Sequence, residues 1–298
     1  MRDHDSGSWL KRLFRRNHDD AGNRSEPLVS VIIPTYNWSS VLRFAIESVR
    51  WQTMPDFELL VIGDGCSDDS EQVVQSFGDL RIRWHNLPSN SGHQSTPNNA
   101  GLAMARGRYV AYLGHDDVWY PTHLAKLVKA MRRTAADVAN TRTVMLGPPG
   151  SHIRVLTAAS RYRQGRGVPP SSMMHVRTLT AEIGGWRNYR ETELTPEKEL
   201  LLRAFRAGKR FETINALTVF KFNSPLRPNC YRDKPSHEQA EYVRRIRSEP
   251  NFMKNEWRAI KADAVLGLRI HSGIPEPPNP LPPGWMVSQW RRIRGLEP

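Results

Sequence analysis

Two adjacent carboxylates, Asp116 and Asp117, end the apolar part of the stretch 107–121, GRYVAYLGHDDVWYP. Residues 108–113 are rich in Tyr and Val, the composition of a mostly buried strand. The apolar run stops at Gly114, and His115, Asp116 and Asp117 follow. Neighbouring carboxylates repel each other and resist desolvation, so a strand end carries such a pair in one of two ways. Either the pair lies in solvent, with Asp117 near the start of the helix that Pro121 opens, or a cation neutralises it. Carboxylates are hard oxygen ligands suited to Mg²⁺ or Mn²⁺, which keep waters and complete their shell with a phosphate. A second candidate is Glu197, in the first turn of a helix begun by Thr195 and Pro196. There the helix dipole favours an ionised carboxylate, a fact that also explains many first-turn glutamates without chemistry. His115, His175 and His237 are candidate extra ligands or acceptor contacts, although a lone histidine is more often structural. His175 precedes an apolar stretch suited to line an acceptor cleft, which makes it the best placed of the three.

The elements that must position these residues are legible from apolar periodicity. Strands are expected at 28–34, 57–62, 80–84 and 108–113, with helices at 39–52, 67–77, 98–105 and 121–133 between and after them. Ser39 or Ser40 is the expected cap of the first helix. Strand alternating with helix predicts an α/β fold with a mostly parallel, helix-covered sheet, in which ligands bind outside the carboxyl ends of the strands. Three polar clusters fall there: Thr35–Tyr36–Asn37, Asp64, and His115–Asp116–Asp117. They should converge on one crevice. Further on, the pattern predicts a strand at 137–146, a mobile loop over 147–166, a helix from 196 to a stop at Gly208 and a half-buried strand at 211–222. Helices at 236–248 and 252–268 follow, then a Pro-rich extended segment at 275–284. The tail 285–294 mixes Trp285, Trp290 and Ile293 with three arginines, and either touches membrane or packs as a C-terminal arm. The organisation expected is a basic, flexible segment at 1–26, a main domain at 27–225 and a helical, Pro-rich extension at 226–298.

Bulk properties narrow the partners. Hydrophobic residues make up 39 % of the 298, enough for a globular core, and the net charge of +13 favours anionic partners. The basic residues are scattered and not interleaved with exposed aromatics, so nucleic acid is not expected. Two cysteines, Cys66 and Cys230, make neither a disulfide framework nor a zinc site, which points to a reducing compartment. No run reaches the roughly 18 apolar residues of a membrane span. Residues 8–16, SWLKRLFRR, read either as a helix lying on an anionic membrane or as a disordered basic tail. A cytoplasmic protein with peripheral contact on the inner face of the membrane is the expectation. No GxGxxG follows a strand and no GxxxxGK[ST] is present, which disfavours dinucleotide oxidoreductases and P-loop NTPases. The first strand-end loop, TYNWSS, lacks the basic, Gly-rich character of a nucleotidyltransferase. That class and a non-catalytic nucleotide-sugar or anionic-surface binding protein are the alternatives.

Four segments, VSVIIPTYN (29–37), DFELLVIGDGCSDDS (56–70), NNAGLAMARGRYVAYLGHDD (98–117) and EKELLLRAFRAG (197–208), occur in this order and at suitable spacing. Together they resemble the family 2 glycosyltransferases with the GT-A fold. The resemblance implies inverting transfer of a sugar from a nucleotide-sugar, commonly a UDP-sugar, to an acceptor hydroxyl of a glycan or lipid-linked acceptor, in glycan, polysaccharide or glycolipid synthesis. It implies a divalent cofactor, Mn²⁺ or Mg²⁺, on Asp117 helped by Asp116. It implies that Tyr36 stacks on the base, that Asp64 hydrogen-bonds it, and that Pro34, Asn98 and Asp116 complete the nucleotide site. Glu197, six residues before Arg203, matches the catalytic carboxylate that acts as general base. Three positions depart from the pattern: Gly63 replaces the first acid of the strand-end pair, Asn98 stands where many members have Arg, and Glu197 replaces Asp.

Overall fold

In the computed structural model the described residues are 26–158, 160–222, 224–235, 237–265 and 275–296. The expectations for segment 1–26 fall, apart from Glu26, outside them. Strand β1 (Val29–Thr35) is the centre of the parallel half of one sheet. Its run of β-branched residues is buried on both faces, as a helix-covered strand requires. Helix α1 (Ser39–Arg50) follows and buries Val41, Leu42, Ala45, Ile46 and Val49 along one stripe. The expected local cap does not form. Instead Asp68, from the loop after the next strand, accepts the Ser39 N–H at 3.1 Å. β2 (Phe57–Gly63), α2 (Ser70–Gln75), β3 (Ile82–Asn86), α3 (Ser95–Met104) and β4 (Tyr109–Tyr112) complete the parallel half. β1 pairs β2 from Val29↔Phe57 to Thr35↔Gly63, and pairs β4 from Val29↔Tyr109 to Ile32↔Tyr112.

The second half is mixed. β5 is two residues long (Val118–Trp119), and α4 (His123–Thr134) leads to β6 (Val138–Leu146). β7 (Arg154–Leu156) pairs β6, in a segment the sequence suggested as a mobile loop. That segment is further anchored by Tyr162, whose ring stacks on Phe211 at 4.2 Å. β8 (Met173–Val176), α5 (Thr178–Ile183), α6 (Pro196–Arg206) and β9 (Phe211–Phe222) follow. The sheet order is β3-β2-β1-β4-β8-β6-β9-β5. β8 runs antiparallel to both β4 and β6, and β6 is parallel to β9. β9 therefore points the same way as β1, β2 and β4, and its carboxyl end reaches the same edge of the sheet.

Helices α7 (Cys230–Asp233), α8 (His237–Ser248), α9 (Phe252–Val265) and α10 (Trp285–Ile293) close the described chain. Val243, Phe252 and Ile260 of α8 and α9 share an apolar cluster with Val118, Val144 and Phe220 of the sheet. Each fully buried aliphatic or aromatic side chain of this kind contributes about 1.5–3 kcal/mol. Among the described residues no helix is long and apolar enough to cross a membrane.

Candidate functional site

The site is built at the carboxyl ends of β1, β2, β4 and β9. After β4 the chain turns tightly, with the Asp117 N–H donating to Gly114 O at 3.1 Å. Gly114 lies against both carboxylates. A Cβ there would come within 3.1 Å of Asp116 Oδ1 and of Asp117 Oδ2. Asp117 is fully buried, Asp116 is 6 % exposed, and the solvated-turn alternative does not apply. Asp117 Oδ2 accepts from Ser171 Oγ at 2.5 Å and from Lys221 Nζ at 2.9 Å. Asp117 Oδ1 is buried and has no hydrogen-bond partner. Burial raises the Asp117 carboxyl above its ordinary range, the Lys221 charge opposes that, and Asp116 adds to it.

Asp64 lies at the end of β2 and is buried. Both its oxygens accept from the Ser91 N–H at 3.1 Å, and Ser91 Oγ adds a bond at 3.0 Å. Burial raises its pKa, and the Ser91 bonds, the Gly92 N–H and the Arg291 charge pull it back. Gly63 has a steric cause. A Cβ at that position would meet Asn86 Oδ1 at 2.4 Å and the Trp84 ring at 2.7 Å. Asn86 instead clasps the following loop, donating to Cys66 O and accepting the Cys66 N–H, each at 2.8 Å. Asn37 ties the first loop to the second, its Oδ1 accepting the Ser67 N–H at 2.7 Å.

Pro34 lies beyond the last rung β1 shares with β4, and Tyr36 is half-buried just after the strand. Asn98, on α3, is 1 % exposed, and neither its Oδ1 nor its Nδ2 has a hydrogen-bond partner. Glu197 is in the first turn of α6. Thr195 occupies the capping position, but its hydroxyl donates to Glu197 Oε1 and caps no backbone N–H. Burial raises the Glu197 carboxyl, while Thr195 and the charges of Lys198 and Lys221 lower it. Arg203 does not pair with Glu197; its guanidinium binds Glu199 at 2.7 Å.

The histidines divide differently. His175 is buried in the sheet, with Nδ1 on Val176 O at 2.8 Å and Nε2 at 2.9 Å from Tyr112 Oη. Burial lowers its pKa to about 4. With both ring nitrogens engaged and 1 % of its surface exposed, it is placed as a neutral structural group. His115 is buried, bonded through Nδ1 to Thr35 Oγ1 at 2.8 Å and edge-on to Trp38. His237 opens α8, and its side chain lies outside the described set.

Lys221 is the functional side chain that sequence reasoning missed. Its signal was a lone ammonium between Phe220 and Phe222 at the apolar end of β9. Its charge acts on Asp117, His115 and Glu197 alike. Among the described residues no group of three or more His, Cys, Asp or Glu is placed to hold a metal by itself.

Residues 30–175 match the family model described as Glycosyl transferase family 2. The poly(ribitol-phosphate) beta-N-acetylglucosaminyltransferase TarP of Staphylococcus aureus (strain N315) is 37 % identical over 114 residues, covering 37 % of this chain and 35 % of that protein. The first two curated relatives are likewise matched over only 34 % of their length. Among solved structures, S. aureus TarS 1–349 in complex with UDP-GlcNAc superposes with a TM-score of 0.56 at 19 % identity, covering 75 % of this chain and 67 % of that one. The mannosyltransferase PcManGT of Pyrobaculum calidifontis, in complex with GDP-Man and Mn²⁺, gives 0.54 at 16 % identity, covering 89 % and 84 %. These likenesses establish the GT-A type of α/β fold. Residues 30–175, which hold the parallel half of the sheet and the Asp116–Asp117 turn, are the part of the chain that matches glycosyl transferase family 2.

Proposed function

We propose that this chain is an inverting glycosyltransferase that moves a sugar from a nucleoside-diphosphate sugar, with UDP-sugars the first class to test, to a hydroxyl of a glycan or lipid-linked acceptor. One observation carries the reading: at the carboxyl edge of a sheet that matches family 2, a buried acid pair is bonded to Lys221, whose charge also acts on the first-turn Glu197. In this reading residues 27–225 are the transferase domain and 226–298 an extension, of which Val243, Phe252 and Ile260 pack on the sheet.

Asp64, held by three bonds from Ser91, orients the base, and Tyr36 and Pro34 flank it at the end of β1. Asn98 offers a buried, unpaired amide. Leaving such a group unsatisfied costs about 1–3 kcal/mol, which a bound donor would recover. Fixing the donor this way sets the reacting geometry before chemistry. Asp116 and Asp117 fit a divalent cation, because Asp117 Oδ1 is a buried oxygen without a partner. Mg²⁺ and Mn²⁺ are bound by one or two carboxylates with substrate phosphates completing the shell. Bound there, the ion would supply positive charge against the leaving diphosphate. Lys221 already balances Oδ2 of the same carboxylate.

Glu197 takes the acceptor proton. Thr195 occupies Oε1, which leaves Oε2 for the hydroxyl. As that proton moves to Oε2, the acceptor oxygen bonds to the anomeric carbon, the bond from that carbon to the phosphate oxygen breaks, and the diphosphate departs with the electron pair.

The test is calorimetric binding of UDP and other nucleoside diphosphates, with and without Mn²⁺, to wild type and Asp117→Asn. Metal-dependent binding of one nucleotide, weakened in the variant, is expected. Absence of nucleotide binding under every condition would refute the reading.

A further inference from the structure

Helix α10 and its flanks run from the segment at Thr192 to the turn at Asn229–Tyr231, which lies beside His115. At one end the Gly284 N–H donates to Thr192 O at 2.9 Å, and Gly284 packs against Tyr189 and Arg190. At the other end Ile293 O and Arg294 O accept from the N–H groups of Asn229 and Tyr231, at 2.8 and 3.0 Å. Tyr231 packs edge-on against Trp38 and lies beside His115, next to the acid turn. In between, the Arg291 guanidinium donates to Gly92 O, one residue past the Ser91 that holds Asp64.

Arg291 and Arg294 are three residues apart and so share a face of the chain where it leaves the helix. The Arg291 charge acts on Asp64, at the nucleoside end. The Arg294 charge acts on His115 and on Lys221, at the acid-turn end. Between these ends lies the path that joins a nucleoside to a transferable sugar. Three carboxylates border that path, so a diphosphate needs compensating cations to enter it. Guanidinium groups match phosphate oxygens with paired N–H donors. Arg294 Nε is buried and has no hydrogen-bond partner, so a donor group there awaits an acceptor.

None of the nine residues of α10 is fully buried. An element with few buried contacts opens at low free-energy cost. We propose that α10 is a strap over the donor crevice, and that Arg291 and Arg294 bind the diphosphate of the nucleoside-diphosphate donor. This rests on the donor class proposed above. The strap lifts to admit the donor and settles when the two arginines meet the phosphates.

The test is calorimetry on the full chain with UDP, GDP, uridine and guanosine as probes, for wild type, Arg291→Gln/Arg294→Gln and the exposed-residue control Arg292→Gln. The double variant should lose on the order of tenfold or more in nucleoside-diphosphate affinity, as expected for lost hydrogen bonds to charged groups, and keep its nucleoside affinity. The Arg292 control should bind as wild type does. Diphosphate affinity within twofold of wild type, or equal losses for diphosphate and nucleoside, would overturn the strap assignment. Limited proteolysis of wild type supplies a readout without a variant. UDP or GDP should slow cleavage within 285–294, and unchanged cleavage at saturating nucleotide counts against closure. If wild type binds no nucleoside diphosphate at all, the donor class itself falls, and the strap proposal with it.

Discussion

Asp117 and Lys221 face each other because of strand register. Val118 pairs with Phe220 and Trp119 with Val219 in antiparallel sense, so one rung further on residue 117 stands opposite 221, with Nζ 2.9 Å from Oδ2. A two-residue strand thus decides which cation balances the acid turn.

Replacing that cation should expose the buried charge. Lys221→Met leaves Asp117 without its ammonium, a loss on the order of 3 kcal/mol for a buried pair broken on one side. Burial raises the Asp117 carboxyl above its ordinary 3.8. A raised carboxyl stabilises the fold fully below pH 3.8 and loses that contribution as pH rises through the raised value. Without Lys221 the carboxyl rises further. The deficit of the variant should therefore be full near pH 8 and shrink toward pH 5, which thermal unfolding of both proteins across that range would show. A deficit independent of pH would mean that the ion pair is not its cause.

Glu197→Gln should keep nucleotide binding and lose transfer by about a hundredfold or more, the usual contribution of a positioned base. A base must be ionised, and burial raises this carboxyl above the ordinary 4.5. The acid limb of the kcat/KM profile of the wild type should accordingly lie above pH 4.5. Full activity in the variant would remove Glu197 from the mechanism.

Tyr112→Phe should cost about 1–3 kcal/mol, because it strands the buried Nε2 of His175. The acceptor KM should not move. Urea unfolding and acceptor titration separate the two effects, and a changed KM with unchanged stability would return His175 to the acceptor site.

Gly63→Ala should destabilise by about 1–3 kcal/mol through overpacking against Trp84 and Asn86. An unchanged urea midpoint would mean that the two side chains yield.

Much of this architecture is written locally. The strand 211–222 has the bounds its alternation implies, and α1 buries the stripe its periodicity marks; α6 buries Leu200, Leu201 and Ala204, but Phe205, on the same expected face, is 39 % exposed. Relations between distant segments were not legible. The cap of α1 comes from Asp68, in the loop after β2. Lys221 joins Asp117 only because three strand pairings turn β9 to the same edge. Neither periodicity nor spacing encodes such partners, because they are fixed by the order of strands in the sheet. The tail 285–294 carried both of its readings in composition, and its backbone bonds to Thr192, Asn229 and Tyr231 decide for the packed arm.

The place of β9 also bears on biosynthesis. It lies between β6 and β5, yet it is made after both. On the ribosome, the part that matches the family model, 30–175, emerges with unpaired strand edges that can pair with other chains. Insertion of residues 211–222 seals both edges and delivers Lys221 in the same event. The nascent protein thus acquires the countercharge of its acid turn as the open edge of β6 is covered.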